Sequence, residues 1–375
     1  MIKWCRLCVL PDTRPNLNFD KSGICSACLN HNKKSKINWN NRKATLDKIL
    51  ITIKKKKGPY DCLIPVSGGK DSTWQTIKCL ELGLKPLALT WKTPFRSKIG
   101  SQNLKNLIDL GVDHIDWTIN PKLEKKIMLK ALIDKGSTAI LMHLAIFNIP
   151  RIVACKFKIP LIIWGENSAY EYSNEKNTNK NSDLDSRWLK KFSVTNNFKV
   201  NKTRENENRY SSFFLNDDSI KQKEISQVKS IFLGHFYKWD PVQINKFAKK
   251  NGFRNANKPK TGYYNFADID DECIINIHHW LKWYKFGFTR VFDNLSLEIR
   301  NGRISRNKAI KILKKDKFKY PHKEIKKFTQ YCGITTKKFF MIVEKFRNKK
   351  IWKKNKKNQH YIDNFIFKKK WNENN

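Results

Sequence analysis

Residues 60–76, Tyr-Asp-Cys-Leu-Ile-Pro-Val-Ser-Gly-Gly-Lys-Asp-Ser-Thr-Trp-Gln-Thr, decide the architecture. Cys62 to Val66 is a short apolar run, the pattern of a buried strand. Ser67-Gly-Gly-Lys-Asp-Ser72 is a turn, and a helix starts there. Two glycines let the backbone fold tightly and bring several N–H groups close to one anion. The helix N-terminus adds unpaired donors and partial positive charge, which suits a phosphate. Lys70 contributes a mobile cation, Asp71 a carboxylate able to hold Mg²⁺, and Ser67 and Ser72 hydroxyl donors. The loop is a phosphate cradle without the Gly-x-x-x-x-Gly-Lys-Ser/Thr spacing. An ordinary strand–turn–helix corner is the plain alternative, and six residues of the right kind in the right context weigh against it.

Outward from this loop, strands and helices alternate, which argues for a parallel sheet with right-handed crossovers and helices on both faces. The expected strands are 62–66, 86–91, 113–118, 160–165 and 230–234. Helices are expected over 72–82, 99–110, 121–135 and 138–158, the last kinked or split at Pro150. Ligands of such sheets sit beyond the carboxyl ends of the strands, which gathers the loops after Val66, Trp91 and Gly165 around one crevice. Residues 173–218 are rich in Asn, Ser and Asp and read as a mobile insertion. Further helices are expected from Asp240 to Gly252 and over 270–286, 305–317, 322–332 and 335–348. The resulting division is a Cys₄ segment and basic linker over 1–57, the α/β domain over 58–235 and a mostly helical domain over 236–348. A basic tail over 349–375 is expected to fray or to pack late.

Cys5-Arg-Leu-Cys8 and Cys25-Ser-Ala-Cys28 are two Cys-x-x-Cys knuckles with the gap of a tetrahedral Cys₄ zinc site. Four thiolates leave no open position, so the metal reads as structural; four buried or redox cysteines are the alternative. The apolar stretch 139–150 is too short to span a bilayer, and no apolar leader precedes a cleavage site. A cytosolic protein with reduced cysteines is expected. The formal net charge of +43 invites a polyanion such as RNA, but Lys and Asn are spread through almost every segment rather than gathered in one patch. Compositional drift is the preferred reading.

A second constellation is Pro160-Leu-Ile-Ile-Trp-Gly-Glu-Asn-Ser-Ala-Tyr-Glu-Tyr172, a buried strand followed by polar residues. Glu166 is placed to bind Mg²⁺ or orient a nucleophile, and Asn167, Glu171 and Tyr172 to bond a substrate. Trp91 ends the neighbouring strand, where it would face a nucleotide. His143 lies in an apolar helix, so a satisfied core histidine competes with a substrate contact. The block 260–271 mixes aromatics with carboxylates, and 278–288 follows with clustered aromatics and cations suited to a base, sugar ring and phosphate. A helix packing its aromatics into a second core explains Trp283 and Phe286 as well. His278 and His279 are adjacent and make a poor metal pair. Asp293, Glu298, Arg300 and Arg303 fit a salt-bridged turn as well as a site.

Ser67-Gly-Gly-x-Asp-Ser72 resembles the PP-loop of ATP pyrophosphatases, with the adenine nucleotide alpha hydrolase-like fold. With Pro11-Asp-Thr-Arg-Pro15 after the first knuckle, Trp164-Gly-Glu-Asn-Ser-Ala-Tyr-Glu-Tyr172, Thr261-Gly-Tyr-Tyr-Asn-Phe-Ala-Asp-Ile-Asp270, His278 to Arg290 and Leu295 to Arg303, the chain resembles the N-acetyl sugar amidotransferase family. The likeness runs from Cys5 to about Phe346. The Lys/Asn content, Cys273 and the basic tail depart from it. The resemblance implies an ATP-dependent, AMP-forming ligase of lipopolysaccharide O-antigen or pseudaminic- or legionaminic-type sugar synthesis. It would turn the N-acetyl group of a nucleotide-activated or related sugar into an acetamidino group. It implies ATP, Mg²⁺ and structural Zn²⁺. Ser67, Gly68, Gly69 and Ser72 would hold phosphates, Lys70 would meet transition-state charge, and Asp71 would hold Mg²⁺ with help from Glu166. A separate glutamine amidotransferase subunit and a cyclase-like barrel protein would supply ammonia. The competing reading is a PP-loop tRNA-modifying enzyme of thiolase or lysidine-synthetase type. Against the thiolase form, the Cys-x-x-Cys pairs are N-terminal and better explained by zinc, while Cys62, Cys79 and Cys155 are isolated.

Overall fold

In the computed structural model, which describes residues 1–166, 183–184, 195, 198, 200, 227–316 and 320–372, the alternation forms a five-stranded sheet. Its strands are β1 Cys62–Pro65, β2 Pro86–Trp91, β3 Asp113–Trp117, β4 Leu161–Trp164 and β5 Lys229–Phe232. They are parallel and ordered β3-β2-β1-β4-β5. The central strands are nearly continuous apolar runs because helices cover both faces. Side chains alternate between two cores. Leu63, Leu87, Leu89 and Ile162 pack with α5 Pro121–Lys135 and α6 Ile140–Lys156. Ile64, Ala88, Ile163 and Ile231 pack with α2 Trp39–Lys54, α3 Lys70–Glu81 and α4 Lys98–Ile108. Each of the larger buried side chains contributes roughly 1.5–3 kcal/mol. The chain winds outward from β1 to β3 and then restarts on the other side with β4. That makes the β1/β4 border the topological switch point, with the loops after Pro65 and Trp164 facing each other.

After α1 Ser26–Lys34 at the N-terminus and the sheet helices come α7 Leu233–Phe236, α8 Pro241–Lys250, α9 Ile274–Phe286, α10 Arg290–Arg300, α11 Arg306–Lys315, α12 His322–Cys332 and α13 Thr336–Glu344. Asp240 caps α8 as expected, its carboxylate accepting from the N–H groups of Val242 and Gln243. Among the described residues no helix is long and apolar enough to cross a membrane.

Three expectations are corrected. Helix α6 continues as one element through Pro150, because the residues from Asn148 to Ala154 are all buried and packing holds the helix despite the lost N–H. Asp293, Glu298 and Arg300 sit on a helix rather than in a turn, although Arg303, just after it, does pair with Glu298 at 2.7 Å. The basic tail does not fray: β6 Trp352–Lys354, β7 His360–Phe365 and β8 Lys368–Asn372 form an antiparallel sheet. Trp352, Ile362, Phe365 and Trp371 are its buried face, and lysines occupy the other.

Candidate functional site

The loop after β1 is built as its residue types suggest. Ser67 N–H donates to Ser72 Oγ at 3.0 Å, and Gly69 N–H donates to Ser67 Oγ at 3.3 Å. Gly69 caps α3, so the first amides of that helix open on the loop. Gly68 takes φ +81°, and a Cβ there would lie 2.7 Å from the Leu104 amide nitrogen of α4. Lys70 pairs with Asp71 and stands 5.6 Å from the Phe266 ring centroid. Asp71 keeps Oδ1 buried without a hydrogen-bond partner among the described residues, the state expected of a carboxylate oxygen reserved for a cation. That oxygen is of the kind that could serve as one ligand to Mg²⁺.

Residues 268–271 form a strap across the mouth of this loop. Ser97 Oγ donates to the Ile269 carbonyl at 2.5 Å, and Ser97 N–H to that of Asp270 at 3.0 Å. Thr93 Oγ1 donates to Asp271 at 2.6 Å. The Asp270 carboxyl lies near the Ser67 hydroxyl, and burial pushes its pKa up to about 6. Asp268 turns the other way: it accepts from Thr261 Oγ1 at 2.7 Å and lies 3.3 Å from His279 Nε2. Burial alone would raise Asp268, but His279 and Arg290 outweigh it and hold the carboxyl well below its usual range.

On the Asp268 side lies a cavity of about 600 Å³. Its cations are Arg14, Lys135, Lys282, Lys285 and Arg290, against the carboxylates of Glu166 and Asp268. Behind them Asp293, fully buried on α10, sits 2.9 Å from Arg14, 3.4 Å from Lys282 and 3.8 Å from Arg290. Against the cost of burial, these cations hold Asp293 far below the ordinary carboxylate value. Burial brings Lys282 and Lys285 down to about 8. Burial also keeps the histidines neutral: His279 falls to about 4, His278 well below its usual value, and His143 is lowered too. Ile140, Ile275, Leu281, Phe286 and Phe288 supply an apolar wall.

The knuckles position Arg14. Cys5, Cys8, Cys25 and Cys28 are all buried, and their sulfurs lie within 4.8 Å of one another, with Cys8 and Cys25 3.7 Å apart. A tetrahedral zinc thiolate needs sulfurs about 3.8 Å apart, so the set fits Zn²⁺. Cys8 N–H and Cys25 N–H both donate to Cys5 Sγ, at 3.4 and 3.3 Å. Arg306 donates to the Cys8 carbonyl at 3.0 Å, and Thr13 Oγ1 to the Phe286 carbonyl at 2.5 Å. This locks the segment carrying Arg14 onto the end of α9.

Of the residues singled out in the sequence, Ser67 to Ser72 come together as the loop, while Glu166 and His143 line the cavity beside it. Trp91 is buried at the end of β2, where its indole neighbours Glu124 of α5. Asn167, Glu171 and Tyr172 lie outside the described residues. Sequence reasoning missed Arg14, Asp268, Asp270, Lys282 and Arg290 as site residues. One signal was readable: His278, Lys282 and Lys285 stand at i, i+4 and i+7, one face of a helix.

The chain is 30% identical over 122 residues to the uncharacterized protein MJ1599 of Methanocaldococcus jannaschii, an alignment covering 30% of this chain and 43% of that protein. The chain thus spans less than half the length of the relative it matches. A structural match to NMN synthetase from Francisella tularensis has a TM-score of 0.27 and 14% identity, covering 57% of this chain and 87% of that one. Residues 207–366 match the family model described as LPS biosynthesis protein WbpG-like, C-terminal domain, a span that includes the strap, α9, α10 and two strands of the tail sheet. Residues 207–366 are accordingly similar to the C-terminal domain of WbpG-like LPS biosynthesis proteins.

Proposed function

We propose that this chain uses ATP to convert the N-acetyl group of a phosphorylated or nucleotide-activated sugar into an acetamidino group, releasing AMP and pyrophosphate, in surface polysaccharide synthesis. The observation that carries the reading is the strap: Asp270 lies near Ser67 of the phosphate loop, and Asp268, two residues before it, lines the cavity. A nucleotide on the loop and a second ligand in the cavity would be neighbours. The cavity suits a phosphorylated sugar by volume, by its cations and by its mixture of apolar wall and polar groups. A cavity of this volume suits a small molecule better than tRNA.

An amide carbonyl is a poor electrophile, and its oxygen is a poor leaving group. In the proposed reaction that oxygen attacks the α-phosphorus of ATP and pyrophosphate departs into the Ser67–Ser72 cradle. Ammonia then displaces AMP from the resulting O-adenylyl imidate. The chain's part is positioning and charge neutralisation. Lys70 meets charge on the phosphates, and the amides of the first turn of α3 bond their oxygens. Arg14, Lys282 and Arg290, braced by Asp293, hold the sugar's anionic group. Asp71 would hold Mg²⁺, with Glu166 as a second carboxylate, and the ion would neutralise phosphate charge when bound. Ammonia would come from a glutamine amidotransferase subunit through a cyclase-like barrel protein.

The test is AMP release by the purified chain. It should require ATP, an acetamido sugar nucleotide and an ammonium salt, with glutamine unable to replace ammonium, and Lys70→Ala should lower the rate at least a hundredfold. Release that depends on tRNA instead would overturn the sugar reading, and efficient use of glutamine would overturn the division of labour.

A further inference from the structure

His143 of α6 is held in one tautomer by its own helix. Its Nδ1 lies 2.7 Å from the Ala139 carbonyl oxygen, and a carbonyl cannot donate, so Nδ1 carries the proton. Nε2 is left with its lone pair, and no described residue hydrogen-bonds to it. The ring lines the cavity, tilted against His278 at 6.3 Å between centroids and against Phe147 at 6.2 Å. Lys282, Lys285 and His278 of α9, Lys135 of α5 and Glu166 after β4 line the same cavity. Arg14, Asp268, His279 and Arg290 complete the charged lining. Most of these are cations, which together with burial favour the neutral ring.

We propose that His143 carries the proton of the reacting amide, taking it on Nε2 during adenylylation and returning it during amination. The inference rests on the function proposed above. When the amide oxygen bonds to the α-phosphorus and the bond to pyrophosphate breaks, the amide nitrogen loses its proton to become an imidate, and His143 Nε2 receives it. When ammonia bonds to the imidate carbon, the imidazolium gives that proton back to the same nitrogen. The carbon–oxygen bond to AMP then breaks, and AMP leaves with its electron pair. Ammonia sheds one proton to solvent, and the product is the amidinium ion. A fixed tautomer makes the exchange possible without ring rotation, because Nδ1–H stays bonded to Ala139 throughout.

The experiment compares wild type, His143→Gln and His143→Ala for AMP release with an acetamido sugar nucleotide and ammonium chloride across pH. It also measures ATP binding and the unfolding midpoint of each. The expected result is a kcat lower by roughly a hundredfold to ten-thousandfold, with ATP affinity kept. The acid limb of the wild-type profile, lying below pH 6.5, should be absent in both variants. Imidazole in the buffer should restore part of the activity of His143→Ala. If both variants keep the wild-type rate and acid limb, the proposal is overturned. A lowered rate with an unchanged acid limb overturns it as well and leaves a positioning role. A wild type that releases no AMP with any acetamido sugar overturns the function proposed above, a separate outcome.

Discussion

Gly68 and Gly69 stand side by side in the phosphate loop under different constraints. Gly68 combines φ +81° with the approach of the Leu104 backbone, 2.7 Å from where a Cβ would sit. Gly69 has φ −72°, and a Cβ would meet only Ser67 Oγ at 3.3 Å. Gly68→Ala should therefore cost about 1–3 kcal/mol from backbone strain alone and push α4 away. Gly69→Ala should leave stability within about 0.5 kcal/mol of wild type. Urea unfolding of the two variants checks this, and equal losses would mean that α4 does not brace the loop. The same contrast explains what could be read in advance. Ser67 to Ser72 declare their chemistry within six residues. Arg14 and Asp293 acquire theirs by meeting across 279 positions, and Asp268 by meeting His279 of α9. A buried carboxylate ringed by cations looks, in one dimension, like any surface Asp.

At the scale of elements, Glu124 joins three of them. It sits on α5, beside Trp91 of β2, and accepts from Tyr331 of α12 at 2.5 Å. Burial pushes its carboxyl up from 4.5 to about 7. Between those values the unfolded chain has lost the proton and the folded chain keeps it. Stability therefore falls as pH rises through the window, by about 3 kcal/mol for this group. Glu124→Gln keeps an acceptor for Tyr331 and removes the titration. The variant should match wild type near pH 4.5 and exceed it by about 3 kcal/mol above pH 7. Asp270 titrates in the same window, but it is common to both proteins and cancels in their difference. Paired urea curves at pH 5 and 8 decide the point; parallel pH dependence would show that Glu124 is ionised in the fold. Elements with local signatures were readable: β2 and α12 occupy the stretches their composition marks, 86–91 and 322–332. Helix α10 was hidden by its charges, although Phe292, Leu295 and Ile299 keep a helical stripe.

For the whole molecule, the two ends of the chain are one packing unit. Trp4 stacks on Phe292 at 5.6 Å and meets Phe365 edge-on at 5.4 Å, while its indole N–H donates to the Asn364 carbonyl at 2.9 Å. Trp283 of α9 takes Trp371 at 4.7 Å and Trp352 at 5.2 Å. The tail sheet therefore clamps the N-terminal knuckles onto α9 and α10, the elements that present Lys282, Arg290 and Asp293. The sequence concealed this because lysines separate the apolar positions of the tail and no run is long enough to announce a strand. Left-handed Asn358 and Asn364 were its turn signals. A chain ending at Lys350 would lose the burial of Ile351, Trp352, Ile362, Phe365 and Trp371. At about 1.5–3 kcal/mol each, that loss is comparable with the whole stability of a domain, about 5–15 kcal/mol. The truncated chain should aggregate or unfold without cooperativity. Where it remains soluble, protease should cut before residue 30 even with zinc present, since the knuckles would have lost the surface they lie on. A truncated chain that kept the full-length unfolding midpoint would mean that the tail decorates the fold. The aromatic cluster would then owe nothing to Phe365 and Trp371, against the close ring contacts that tie them to Trp4 and Trp283.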